Sequence, residues 1–350
     1  MARSVIHKKL QLARAWASGH PVWCTWQVNY RCNFRCAFCH YWADPAGDQP
    51  ELSAGDFERG ARKLSRLGSL LVSLAGGEPL IRPDIVEIVR AVAEWHFPFI
   101  TTNGWFVTAG LARELFEAGL WGVSVSVDYA EAERHDRRRG TPGAFERAVR
   151  AIELFSAARV YKWQRVNWIA VLLDDNLGQL EQMIQMAARR NAYFMVQPYG
   201  MRKTGIKRFR CADGGVPDYL LSLRHKYPNV LSNPYFLSRF DEALDGGVPG
   251  CMAGRAFFNI DLNGDVAVCV EERHRPVGNL LHDPTADLLR RLRADPVPQH
   301  CRACWYNCRG EIEALYNPAG LWMSLPTLLF DRGRPFPLAR DAARPGALRS

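Results

Sequence analysis

Between residues 23 and 200 the chain repeats one pattern six times, a short β-branched run followed by an amphipathic segment. Runs at 24–28, 69–74, 97–101, 122–127, 166–173 and 192–197 read as strands. The segments between them read as helices. One opens at Ser53 with Asp56 three residues on, a capping-box-like start, and stops near Gly68. The next takes Pro83 into its first turn, and others cover 108–118, 143–157 and 176–190. Consecutive βα units require a parallel sheet with helices outside it. The two further units of a closed eight-stranded barrel are not evident. The expected fold is therefore α/β, a partial (β/α)6 barrel over residues 21–200.

Residues 1–20 carry charges but no long apolar stretch before a small-residue cleavage site, so they read as a helix and not a signal peptide. No apolar run is long enough to span a bilayer. The expected compartment is cytoplasmic and reducing. There, ten cysteines point to metal or catalysis before disulfides. Cys24 and Cys211 stand apart and read as small buried hydrophobes. The other eight form two groups.

The first group, Cys32, Cys36 and Cys39, is a C-x3-C-x2-C pattern directly after the first strand. Three thiolates on a four-iron cube leave one iron open to a ligand. His40 could close the shell instead, which would make a zinc site. The motifs at later strand ends decide between these. They are Phe38 before the last cysteine, Gly76-Gly77-Glu78-Pro79, Thr102-Asn103-Gly104, Ser124-Val125-Ser126-Val127-Asp128, and His135-Asp136 with Arg139-Gly140. Together with the cysteine triplet they resemble the radical S-adenosylmethionine (SAM) superfamily. All fall at the C-terminal ends of strands, where parallel α/β folds gather their active sites.

The resemblance implies that Cys32, Cys36 and Cys39 hold a [4Fe–4S] cluster with an open iron that binds SAM. It implies that Phe38 packs near the adenine. Gly76, Gly77 and Glu78 would receive the SAM amino group, since glycines permit close backbone approach and a carboxylate pairs an ammonium. Ser126 and Arg139 would contact the ribose or carboxylate, with Asn103 and Gln197 at further family-like positions. A low-potential donor such as flavodoxin or ferredoxin would supply the electron that cleaves SAM. The resulting radical would abstract hydrogen from a substrate.

The second group is Cys251, Cys269, Cys301, Cys304 and Cys308. Its C-x12-G-x4-C opening, with Gly264, resembles the SPASM and twitch extensions of the same family. That resemblance implies one auxiliary [4Fe–4S] cluster over residues 251–315, on Cys251, Cys269, Cys301 and Cys304, with Cys308 either spare or replacing one of them. A four-cysteine zinc ribbon has similar spacing. Glu271 could supply a base, and a solvated acidic turn is the plainer reading of Glu271-Glu272.

Residues 201–250 are basic and breaker-rich, and read as a linker or substrate-facing segment. Residues 316–350 read as a tail, its apolar stretch 319–330 being a docked helix or a contact with a membrane surface. The net charge of +9 suits an anionic partner but is most simply a solvated basic surface, not evidence for nucleic acid. The substrate is not written in the sequence. A peptide to be matured fits the SPASM-like end, and a small or lipid-like molecule is the alternative. A non-enzymatic zinc protein binding nucleic acid is the reading from another class.

Overall fold

The computed structural model describes residues 4–330. After α1 (Val5–Ala17), six βα units follow: β1 (Trp23–Asn29), α2 (Ala54–Leu64), β2 (Leu71–Gly76), α3 (Ile85–Ala93), β3 (Phe97–Thr102), α4 (Ala109–Glu117), β4 (Gly122–Ser126), α5 (Ala132–Arg139), α6 (Ala144–Ala158), β5 (Arg165–Leu172), α7 (Leu180–Ala188) and β6 (Tyr193–Pro198). The six strands pair in parallel in chain order, as the alternating pattern demands. Ser53 and Asp56 do form a capping box at the start of α2. Pro83 lies before the α3 cap residue Asp84 and outside the first turn where it was expected.

The outward face of the sheet is apolar and packs on the helices. Trp26 packs on Phe57 of α2 with ring centroids 4.5 Å apart and planes tilted by 33°. Gly60 gives that indole its room, because a Cβ there would lie 2.5 Å from the ring. Each such buried side chain contributes about 1.5–3 kcal/mol. At the opposite pole α1 seals the sheet: Lys8 Nζ donates to the carbonyls of Ala93 and His96 at 2.7 and 3.1 Å.

Residues 201–250 are not a linker. They form α8 (Val216–Lys226), α9 (Pro234–Leu237) and α10 (Phe240–Asp245), with Leu220, Leu223, Phe236 and Phe240 in the main core. The apolar positions that do this are interleaved with basic and breaker residues, which masks them in a linear reading. Leu231 N and Asn229 O bond the backbone of Phe194, covering the edge of β6.

The chain then returns to the other edge of the sheet. β7 (Phe257–Ile260) pairs in parallel with β1, Trp23 opposite Phe257, and β8 (Asp265–Ala267) and β9 (Gly278–Asn279) extend it antiparallel. The sheet thus has nine strands, and the cysteine-bearing segment is a continuation of the barrel wall. The helices α11 (Thr285–Ala294), α12 (Val297–His300), α13 (Asn307–Glu313) and α14 (Pro318–Phe330) complete the described chain. The start of α14 is docked: Gly320 packs on Ala314, and Ser324 bonds Asn233. The expected loose tail from Arg332 lies outside the described residues. No described helix is long and apolar enough to cross a membrane.

Candidate active site

The concave face of the sheet is polar. Alternation along β1 puts Trp26 and Val28 on the helix side and Thr25, Gln27 and Asn29 on the inner side. Ser124 of β4 and Asn167 of β5 share a row and a hydrogen bond of 3.1 Å, and Gln27 bonds Asn259 of β7 at 2.9 Å. Four atoms on these side chains are buried without a partner: Gln27 Oε1, Asn29 Oδ1, Asn167 Oδ1 and Asn259 Nδ2. Buried polar groups in proteins are rarely left so. A row of orphaned amides inside a barrel fits a polar ligand lying against it. Ser126 and Gln197 occupy strand ends on this same face. Of the row, only Ser126 and Gln197 stand at positions the family resemblance marks. The polar period-two spacing in 25–29 is the sequence signal for Gln27 and Asn29, whereas Asn167 and Asn259 are single polar residues in apolar runs.

The loop after β1 carries Cys32, Cys36 and Cys39 at the mouth of this face. The amide of Phe34 donates to Cys32 Sγ at 3.5 Å. Burial pushes the Cys32 thiol up to about 11 and Cys36 to about 12, while the Arg139 guanidinium pulls both down. A cation placed to offset thiolate charge, on a loop with three clustered thiols, fits the iron–sulfur group that the sequence implies. Phe38 is buried under the Arg139 guanidinium, 5.2 Å from its ring centroid.

The glycines of the GGE motif have a packing reason within the fold itself. A Cβ on Gly76 would lie 1.9 Å from Asn29 O, and one on Gly77 would lie 2.1 Å from Arg31 O. Their close approach is to the root of the cysteine loop. Gly77 N and Glu78 N donate to Asn29 O and Arg31 O at 3.1 and 2.8 Å, so the motif anchors that loop.

Glu78 and Arg139 also do far more structural work than a strand-end charge suggests. Glu78 is 1% exposed and accepts from Leu80 N, Thr102 Oγ1 and Asn103 N at 3.0, 2.8 and 2.7 Å. Burial pushes its carboxyl up to about 7 against those donors. Arg139 is paired with the fully buried Asp128 at 2.7 Å. Asp128 in turn accepts from Val171 N at 2.9 Å, and its own amide meets His135 Nδ1 at 3.2 Å. Asp136 caps α6 through Gly143 N and Phe145 N. Asn103 is held by its own contacts, its side-chain amide donating to Asn33 at 2.8 Å.

The second cysteine group lies beside β1 and β7. Cys269, Cys304 and Cys308 line one small cavity with Thr25, Glu271 and Tyr306. Cys251 sits instead with Cys301, the two thiols sharing a hydrogen bond that pushes Cys251 up and Cys301 down. Cys308 thus faces the same space as Cys269 and Cys304, which favours its replacing one of the four expected ligands over its being spare. The buried Arg309 ties the segment together, donating to Cys304 O and Val248 O at 2.8 and 2.7 Å and pairing with Glu313 at 3.0 Å. Among the described residues no three Cys, His, Asp or Glu side chains converge as ligands of a single ion would.

Glu271 is engaged already. Burial alone would raise its carboxyl, but Lys203 at 2.9 Å and the Tyr306 hydroxyl at 3.1 Å hold it below the usual range. An ion-paired carboxylate is a poor proton acceptor, so this geometry does not favour the base role. Lys203 also donates to Tyr41 Oη at 3.2 Å and lies over the Tyr41 and Tyr306 rings. Lys203, Tyr41 and Tyr306 are not evident as site residues from the sequence. They come from three distant segments, and nothing in their local patterns joins them.

A parallel partial barrel with a three-cysteine loop after its first strand and a second cysteine group on its flank defines an iron–sulfur α/β enzyme. Residues 26–187 match the radical SAM superfamily, and the chain belongs to that family. Members use a [4Fe–4S] cluster and SAM. The chain is 31% identical over 348 residues to the mycofactocin maturase MftC of Mycobacterium tuberculosis, covering 93% of this chain and 87% of that one. It is 34% identical to an AdoMet-dependent heme synthase of Methanosarcina barkeri, but over only 39% of this chain and 40% of that one. Its fold resembles Streptococcus suis SuiB bound to the precursor peptide SuiA (TM-score 0.62, 18% identity, 89% of this chain and 77% of that one). The reading as a non-enzymatic zinc protein is thereby set aside.

Proposed function

We propose that this protein is a peptide-modifying radical SAM enzyme, a maturase. The observation that carries this is the similarity to MftC along nearly the whole chain, including the segment with the second cysteine group. The likeness in fold to SuiB, crystallised with a precursor peptide, agrees with it.

When bound, the cluster and SAM together supply a 5′-deoxyadenosyl radical that takes hydrogen from the substrate. The chain's own part is to hold and orient. Cys32, Cys36 and Cys39 are the ligands of that cluster, and Arg139 offsets their charge. Glu78 pairs the SAM ammonium, while Phe38, Asn103, Ser126 and Gln197 line the rest of its site. The orphaned amides of Gln27, Asn29, Asn167 and Asn259 receive polar groups of SAM or substrate. Cys269, Cys304 and Cys308 hold an auxiliary cluster with Cys251 or Cys301. The barrel and the flanking segment 251–315 work as one unit in the reducing cytoplasm, fed by a low-potential electron donor.

The test is anaerobic. With dithionite and SAM the reconstituted protein should release 5′-deoxyadenosine, and replacing all three loop cysteines with Ala should abolish it. With a precursor peptide encoded beside its gene and deuterated throughout, deuterium should appear in the 5′-deoxyadenosine. Deuterium transfer from a small molecule but from no such peptide would overturn the peptide assignment.

A further inference from the structure

A concentration of positive charge near the cysteine loop lies outside the site. It surrounds a cleft of about 480 Å³ lined by Ala37, Arg134, Arg137, Arg138, Asp175 and Arg208. The cleft shares no lining residue with the polar concave face. Ala37 is exposed and stands between Cys36 and Cys39. Consecutive Cα atoms are about 3.8 Å apart, so one wall of the cleft is a single residue from a thiol of the loop. The wall is fixed there: Ala37 N donates to Arg138 O at 2.9 Å.

Its charge is only partly offset. Arg134 pairs with Asp175 at 3.0 Å and Arg138 with Asp174 at 2.9 Å. Arg137 reaches only the exposed Glu133 at 3.7 Å, and Arg208 makes no ion pair among the described residues. Arg138 and Arg208 flank the Phe209 ring, each about 5 Å from its centroid, at 5.2 and 5.3 Å. The exposed Lys207 and Arg35 extend the patch. Phe209 itself is buried and serves as the floor under these guanidiniums, while Arg137, Arg208 and Lys207 are exposed, and such a basic surface suits a protein face bearing carboxylates.

The geometry points to this cleft as the docking face of a small acidic electron-transfer protein. The inference rests on the proposed cluster at Cys32, Cys36 and Cys39. That cluster needs one electron from outside for each SAM cleaved. A donor must approach it from a side that SAM and substrate do not fill, and the cleft is such a side. Reduced flavin or iron–sulfur centre in the donor loses one electron and the cluster gains it; no bond is made or broken. Complementary charge raises the encounter rate by about 10- to 1,000-fold at low salt.

Binding is measured by titrating the holoprotein into an acidic flavodoxin and following flavin fluorescence at about 50 mM and about 500 mM NaCl. Arg137→Glu with Arg208→Glu should raise Kd about tenfold at the lower salt and little at the higher. Bleaching of the cluster absorbance by reduced flavodoxin should slow about tenfold in the variant. Bleaching by dithionite should be unchanged. Equal Kd for variant and wild type at low salt, with normal dithionite bleaching, would overturn the docking face alone. Failure of dithionite to bleach either protein would overturn the cluster beneath it. Loss of affinity for polyglutamate with flavodoxin binding intact would assign the face to an acidic peptide and overturn the proposal.

Discussion

Glu78 is the residue whose environment departs furthest from what its motif suggests. Its carboxyl is ordinary near 4.5 in the unfolded chain and near 7 when buried. Across that window the folded protein keeps a proton that the unfolded chain has released. Stability therefore falls as pH rises from about 4.5 to about 7, and levels off above. Urea midpoints across this range should fall less steeply for Glu78→Gln than for wild type; equal slopes would place the titration elsewhere. Cys308 is the second residue recast by its surroundings. It is half-buried beside Cys304 and Cys269, and desolvation, followed by those two thiols, pushes its own thiol up. A metal must displace that proton, and the gain in doing so is the metal–sulfur bond. Cys308→Ala should lose the auxiliary iron while the loop cluster persists, read by iron analysis and EPR. Full iron content in that variant would restore the set without Cys308.

Among the elements, the GGE turn after β2 is the clearest case of backbone packing setting sequence. Gly77→Ala would push a methyl group against Arg31 O, with a contact of 2.1 Å to relieve. The turn and the cysteine loop share two hydrogen bonds, so the loop must shift with it. Iron incorporation into the loop site should drop severalfold with little change in far-UV circular dichroism. Normal loading would show that the loop tolerates the displacement. The turn after β6 is joined to the auxiliary segment by a different device. Lys203 meets Glu271, and Arg202 meets Glu272, both at 2.9 Å. Gly200 packs on the Tyr306 ring, where a Cβ would lie 2.0 Å from its hydroxyl oxygen. Removing Lys203 alone strands a largely buried carboxylate. Lys203→Met should cost on the order of 1–3 kcal/mol, and adding Glu271→Gln should recover part of it. Additive losses in chemical denaturation would mean the two residues are not coupled.

At the scale of the whole molecule, the decisive contact is β7 on β1. Trp23 to Trp26 pair in register with Phe257 to Ile260. The segment carrying the second cysteines is thus part of the sheet that carries the first. A chain ending at residue 250 would expose β1 as an open edge and uncover its apolar neighbours. It should express as aggregate, checked by size exclusion, where a chain divided into two independent domains would give a soluble barrel.

The order of the six barrel strands, the helices between them, the capping box at Ser53 and the three-cysteine loop were legible from sequence. Each is encoded within some twenty residues, by a period, a cap or a spacing. The superfamily was legible for the same reason, because its motifs sit at successive strand ends in chain order. Three features were not. Residues 201–250 pack as helices because Leu220, Phe236 and Phe240 find the sheet edge, a partner nothing local announces. Cys308 joins Cys269 and Cys304 only because α13 and the hairpin after β7 lie side by side. Lys203, Tyr41 and Tyr306 meet between the two cysteine groups from positions more than a hundred residues apart. Periodicity and spacing act along the chain, whereas these sites depend on which distant surfaces bury each other best, and only the folded tertiary structure decides that.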